Sequence, residues 1–96
     1  MLTTSEIIKI ANDVARANLT SSSISSVSSE STIDSEGRDA LRITIIITPG
    51  AASKIKGDAA LDTLVQMHDR LRKEGEERFP ILEYATAEEL SESGDY

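Results

Sequence analysis

The chain has no cysteine and no tryptophan, and its 96 residues hold one histidine, one phenylalanine and two tyrosines. Without cysteine there are no disulfides, thiolate metal cages or thiol nucleophiles. A single histidine cannot build a histidine-rich metal site either. Base stacking needs a platform of rings, and an aromatic content of 3% does not supply one. Basic side chains are also scarce, 10 against 17 acidic, for a net charge of −7. The one basic cluster, Arg70, Arg72, Lys73 and Arg78, is interleaved with Asp69, Glu74, Glu76 and Glu77. That leaves no uniform basic face to gain from counterion release, so nucleic acid is not expected as a partner of this chain on its own. A membrane is not expected either, because no run of about 18 apolar residues is present. The N-terminus, Met-Leu-Thr-Thr-Ser-Glu, has neither the basic region nor the apolar stretch of a secretion signal, which makes the cytoplasm the expected location.

What the chain does have is a mismatched pair of strand candidates. Residues 20–35 hold nine serines and two threonines, whereas residues 41–48 read Leu-Arg-Ile-Thr-Ile-Ile-Ile-Thr. In the second segment Leu41, Ile43, Ile45 and Ile47 alternate with Arg42, Thr44, Ile46 and Thr48, the period of a strand with one core face. A turn over 34–39 around Gly37 makes the serine-rich segment its hairpin neighbour. Centred on Gly37, the hairpin sets Ile33 opposite Leu41, Ser31 opposite Ile43, Ser29 opposite Ile45 and Val27 opposite Ile47. Ile24 then falls on the wrong side, unless the strand starts after it or a bulge lies near Ser25 and Ser26.

Two helices flank the hairpin. Ile7, Ile10, Ala11, Val14, Ala15 and Asn18 recur at the spacing of one helical face, and Thr3 with Glu6 has the spacing of a capping box. A second helix opens with Asp58 as N-cap and carries Leu61, Leu64, Val65, His68, Leu71 and Arg72 on its apolar arc, with Ala60 and Met67 at the margin. It ends at Gly75 or shortly before Pro80. Residues 81–85 read as a short third strand placed at a sheet edge by Pro80. Thr86 and Glu89 have capping-box spacing for a last short helix. The expectation is one α+β domain over residues 1–90, an α-β-β-α unit with both helices on the odd-numbered face of the hairpin, followed by a frayed acidic end at 91–96.

No catalytic, metal or cofactor signature accompanies this fold. There is no Gly-x-Ser-x-Gly elbow for any of the serines, and the Lys54 to Asp58 loop is not a P-loop, since no lysine follows Gly57. A flexible surface loop is the stronger reading there, with anion or nucleotide binding as the alternative. Asp34, Glu36 and Asp39 match turn formers better than a cation loop. His68 reads first as a structural residue on an apolar face, and second, with Tyr84, as the lining of a pocket for an oligomeric enzyme or ligand-binding domain.

The one charge asymmetry lies at the C-terminal end, where residues 79–96 hold five acidic side chains and no basic one. A single-sign patch steers association with a basic partner. The leading expectation is therefore a small protein that works by binding another protein, as an adaptor or regulatory module, of which an antitoxin-like protein is one version. Its candidate contacts are the even-numbered sheet face, Arg42, Thr44 and Ile46, and the acids Glu83, Glu88, Glu89 and Glu92. A homodimer is also expected, because a chain this short buries only a modest core.

Overall fold

A computed structural model describes residues 2–19, 23–51 and 55–88. Five elements follow in the order α1 (Thr4–Asn18), β1 (Ile24–Ile33), β2 (Asp39–Ile47), α2 (Gly57–Lys73) and β3 (Phe79–Thr86). They form an α+β domain around a three-stranded sheet of order β1-β2-β3. The expected third strand is present and longer than the 81–85 segment. It lies parallel to β2, which makes α2 the crossover that a parallel pair requires.

Helix α1 starts where the sequence places it. Glu6 N donates to Thr3 Oγ1 at 3.2 Å and Thr3 N donates to Glu6 Oε1 at 3.1 Å, so two backbone groups at the helix start are satisfied reciprocally. Its buried residues are Ile7, Ile10, Ala11, Val14 and Ala15. They pack on Leu41, Ile43, Ile45 and Ile47, all at most 4% exposed, together with Met67 and Leu71 of α2. Both helices therefore cover the odd-numbered face of the sheet.

The hairpin keeps the expected faces but shifts in register by two residues. Ile33 pairs with Asp39, Ser31 with Leu41, Ser29 with Ile43 and Val27 with Ile45. The turn is the reason. Gly37 N donates to Asp34 O at 3.0 Å and Asp34 N donates to Arg38 O at 2.9 Å, while Gly37 takes a positive φ of 81°. Such a turn followed by a left-handed glycine is centred on residue 36, not on Gly37. Asp34 Oδ1 reinforces it by accepting from Glu36 N and Arg38 N, both at 2.9 Å. A shift of two leaves every side chain on its own face. The register slips again between Ile24 and Ser26, where Ser25 is the extra residue of a bulge that returns Ile24 to the core side beside Ile47.

Helix α2 departs from expectation at its start, and its buried side is turned. Its N-cap is Lys56, with no side-chain cap, and Asp58 lies in the first turn. The buried positions are Thr63, Met67 and Leu71, spaced i, i+4, i+8. Leu61 and Val65, expected in the core, are 60% and 58% exposed. The cause is lateral: α2 lies between α1 and β3, so the sheet contacts a narrow stripe centred on Met67, and the leucine-valine edge of the apolar arc faces outward.

The C-terminus of α2 positions a buried acid. Gly75, at φ 94°, closes the helix, with Glu76 N donating to Leu71 O at 2.8 Å and Gly75 N to Arg72 O at 3.0 Å. This turn delivers Glu76 beneath the start of α1, where it is 1% exposed. Its Oε1 accepts from Leu2 N at 3.0 Å and Arg78 Nη2 at 2.9 Å, and its Oε2 accepts from Arg78 N at 3.1 Å and Arg78 Nε at 2.9 Å. Arg78 Nη1 continues to Ser31 Oγ at 2.9 Å, so one ion pair ties the chain start, the α2-β3 connection and β1 together. Ala87 and Glu88 begin a helical turn after β3, and the remainder of the expected last helix, with the 91–96 end, lies outside the described residues.

Candidate functional site

The outward turn of α2 leaves its leucines beside an edge strand. Ala60, Leu61 and Leu64 of α2 and Phe79, Pro80, Ile81, Leu82 and Tyr84 of β3 line an open groove of about 500 Å³. Every lining residue is apolar or aromatic. Val65 and Phe79, 58% and 49% exposed, extend the apolar surface on either side. Among the described residues β3 is an edge strand, with β2 on one side only. Pro80 near its start has no N–H, and a proline in an edge strand turns that missing donor outward. The outer edge of β3 thus offers an incomplete ladder to an added strand, and the groove beside it is lined by side chains.

His68 and Tyr84 both border this groove, in different ways. The His68 ring lies 5.0 Å from the Phe79 ring at a tilt of 52°, and its Nε2 accepts from Arg72 Nε at 3.2 Å. It is half-buried at the rim, not in the core. Tyr84 projects from the helix-covered side of β3. Burial pushes its phenol up from the ordinary value, opposed by the nearby Thr63 hydroxyl. That hydroxyl donates at 2.7 Å to Ala59 O, and the Tyr84 hydroxyl is left without a well-formed hydrogen bond. A buried polar atom of this kind costs about 1–3 kcal/mol.

The opposite sheet face carries the other expected contacts. Arg42, at the centre, reaches Glu30 Oε1 at 3.1 Å on one side and Glu83 Oε1 at 3.5 Å on the other. Thr44 lies next to it, half-exposed, between Ser28 and Glu83. Ile46 is only 7% exposed, so it offers little apolar area to a partner. Glu88 is exposed, whereas Glu89 and Glu92 lie outside the described residues. Lys54 also lies outside them, and Lys56 is exposed at the start of α2.

Among the described residues no group of three or more metal-ligating side chains comes together, and no helix is long and apolar enough to cross a membrane. Near the hairpin end a second depression is lined by Asp34, Arg38, Asp39, Arg72 and Glu77 among others, but its charges are mixed and Arg38 is held by Asp34 at 3.0 Å and by Glu36 at 2.6 Å. Comparison with protein families, with curated proteins and with solved structures finds no match for this chain.

Sequence reasoning found Leu61, Leu64 and Val65 as apolar and assigned them to the core. It did not find the groove, because which part of a wide apolar arc stays outside depends on where the neighbouring helix and strand sit. The one available signal was excess: α2 carries more large apolar residues than a three-stranded sheet has room to cover.

Proposed function

We propose that the chain is a small protein-binding module whose docking surface is the apolar groove between α2 and β3. The observation that carries this reading is the exposure of Leu61, Val65 and Phe79 together, beside a groove lined only by apolar and aromatic side chains. Singly exposed apolar residues are ordinary, but a contiguous patch rimmed by charges is a feature of interaction sites. Asp58, Asp62, Asp69 and Arg72 supply that rim, the polar border that keeps such a patch soluble.

The even-numbered sheet face receives less support as a second contact. Arg42 is already neutralised by two carboxylates within the chain, so a partner would have to displace them before gaining from its charge. The acidic end with Glu83 and Glu88 suits a basic partner through long-range steering, which acts on association rate more than on affinity. An enzyme reading built on His68 and Tyr84 has little to work with, since the His68 contacts are an arginine and a phenyl ring and, among the described residues, no carboxylate hydrogen-bonds to it. For the anion reading at 54–58, the described residues offer one exposed lysine, Lys56, at a helix start.

A photo-crosslinking side chain placed at Val65 tests the module reading, with one at Lys9 on the exposed side of α1 as the control. Adducts are expected from position 65 under native conditions and to be absent from position 9. Equal labelling at both positions, or none at 65, overturns the reading.

A further inference from the structure

We infer that the partner seated on the α2-β3 groove is a second copy of this chain, packed with its α2 antiparallel across the first. The inference rests on reading the groove as a docking surface, and the argument for the occupant is the charge order along α2. The outward side of this helix carries Asp58, Leu61, Asp62, Val65, His68, Asp69 and Arg72, so on one side of Val65 lie two acids and a leucine, and on the other an imidazole, an acid and an arginine at the far end. Laid antiparallel about a two-fold axis at Val65, such a stripe complements itself. Asp58 of each copy meets Arg72 of the other, seven residues either side of the axis. By the same count Asp62 of each copy meets His68 of the other, whose ring rests on Phe79 at 5.0 Å, and Leu61 meets position 69. Asp69, which approaches the acidic half of the mate, is paired within its own chain to Lys73 at 3.2 Å.

The same feature argues against the alternatives. A parallel helix would place acid against acid and base against base, and like charges juxtaposed at an interface disfavour it. Strand addition at β3 meets the gap at Pro80. An isologous contact also accounts for one patch serving as both halves of the interface, since a two-fold dimer needs only one self-complementary surface. Antiparallel packing buries Leu61 and Val65 of both copies at the centre and leaves the charged pairs at the rim, the arrangement of stable interfaces.

Sedimentation equilibrium on the full chain tests the assignment through its charges. The wild-type chain is expected to be a dimer at micromolar to millimolar concentration. Asp58→Arg alone sets two like-charged pairs in each dimer, and Arg72→Asp alone does the same with the opposite sign. Each is expected to dimerise about thirtyfold more weakly than the wild type, from two exposed pairs changed from attraction to repulsion. Mixed in equal amounts, the two variants are expected to associate with each other near wild-type strength, since every pair in the mixed dimer is then between opposite charges. A misfolded variant could not produce this rescue. A monomeric wild type overturns the inference, as does a dimer indifferent to both substitutions or a mixture that shows no rescue. If the wild type is monomeric while position 65 still crosslinks to a different protein, the second-copy assignment fails and the docking surface stands.

Discussion

Glu76→Ala is expected to cost about 3–5 kcal/mol of stability, a large share of the roughly 5–15 kcal/mol that holds a domain of this kind together. The carboxylate is 1% exposed and accepts four hydrogen bonds, from Leu2 N and from three nitrogens of Arg78. Removing it leaves the Arg78 guanidinium, whose side chain is 13% exposed, without its counter-ion and leaves two backbone N–H groups unsatisfied. The paired replacement Glu76→Leu with Arg78→Met is expected to recover the part of the loss that comes from the uncompensated guanidinium, while the Leu2 and residue-78 backbone N–H groups stay without their acceptor. Thermal unfolding checks both. A loss below about 1 kcal/mol in the single variant contradicts the role assigned to the pair.

The same pair sets the acid response. Hydrogen bonds from the Arg78 guanidinium, helped by Arg78 N and Leu2 N and opposed by burial, hold the Glu76 carboxyl at about 2 in the folded chain, against 4.5 for an unperturbed glutamate. A lowered folded pKa means that the unfolded chain takes up the proton first. The stabilisation is therefore complete above about pH 4.5 and lost as pH falls from there towards 2. At about 1.4 kcal/mol per unit the loss comes to roughly 3–4 kcal/mol. Glu6 and Asp34 are lowered too, by their hydrogen bonds at the helix start and the turn, and act in the same direction. Glu76→Gln is expected to flatten most of this acid limb.

The second large effect is expected at Ile43. It is fully buried at the centre of β2, with Ser29 beside it on β1 and Leu82 on β3. Serine is too short to fill space left by a missing isoleucine, so Ile43→Ala opens a cavity that collapses poorly and costs about 3–5 kcal/mol. Ile33→Ala is the contrast. At 64% exposure Ile33 lies beyond the helices at the hairpin end, and its loss is expected to fall within about 0.5 kcal/mol. Equal losses at the two positions would contradict the account of a core carried by the central strand.

These contrasts show where the fold could be read in the sequence and where it could not. The start of α1 was legible because Thr3 and Glu6 state their geometry locally. The odd face of β2 was legible because alternation survives any even shift of register. That is why the face assignment held although the pairing slid by two at the Asp34 turn. The bulge at Ser25 was legible as an alternative, since Ile24 is buried only if one residue is skipped. The buried side of α2 was not, because Thr63 lies in the core and Val65 does not, and the lateral position of a crossover helix decides between them. Glu76 and Arg78 read as two more charges in a mixed run. Their burial depends on a glycine-closed helix end meeting Leu2 N from the other end of the chain, and no local pattern records that meeting. Of the candidate site, the sequence yielded its apolar residues, but not their exposure.

The most direct test of that surface is the concentration dependence of the amide chemical shifts of the full chain. From low micromolar to millimolar protein, the amides of Leu61, Val65, His68 and Phe79 are expected to move together along one dimerisation curve, while Lys9 and Asp13 on α1 and Ser28 on the uncovered sheet face stay fixed. Shifts confined to α1 or to the Arg42 face, or no change across that range, would contradict the account.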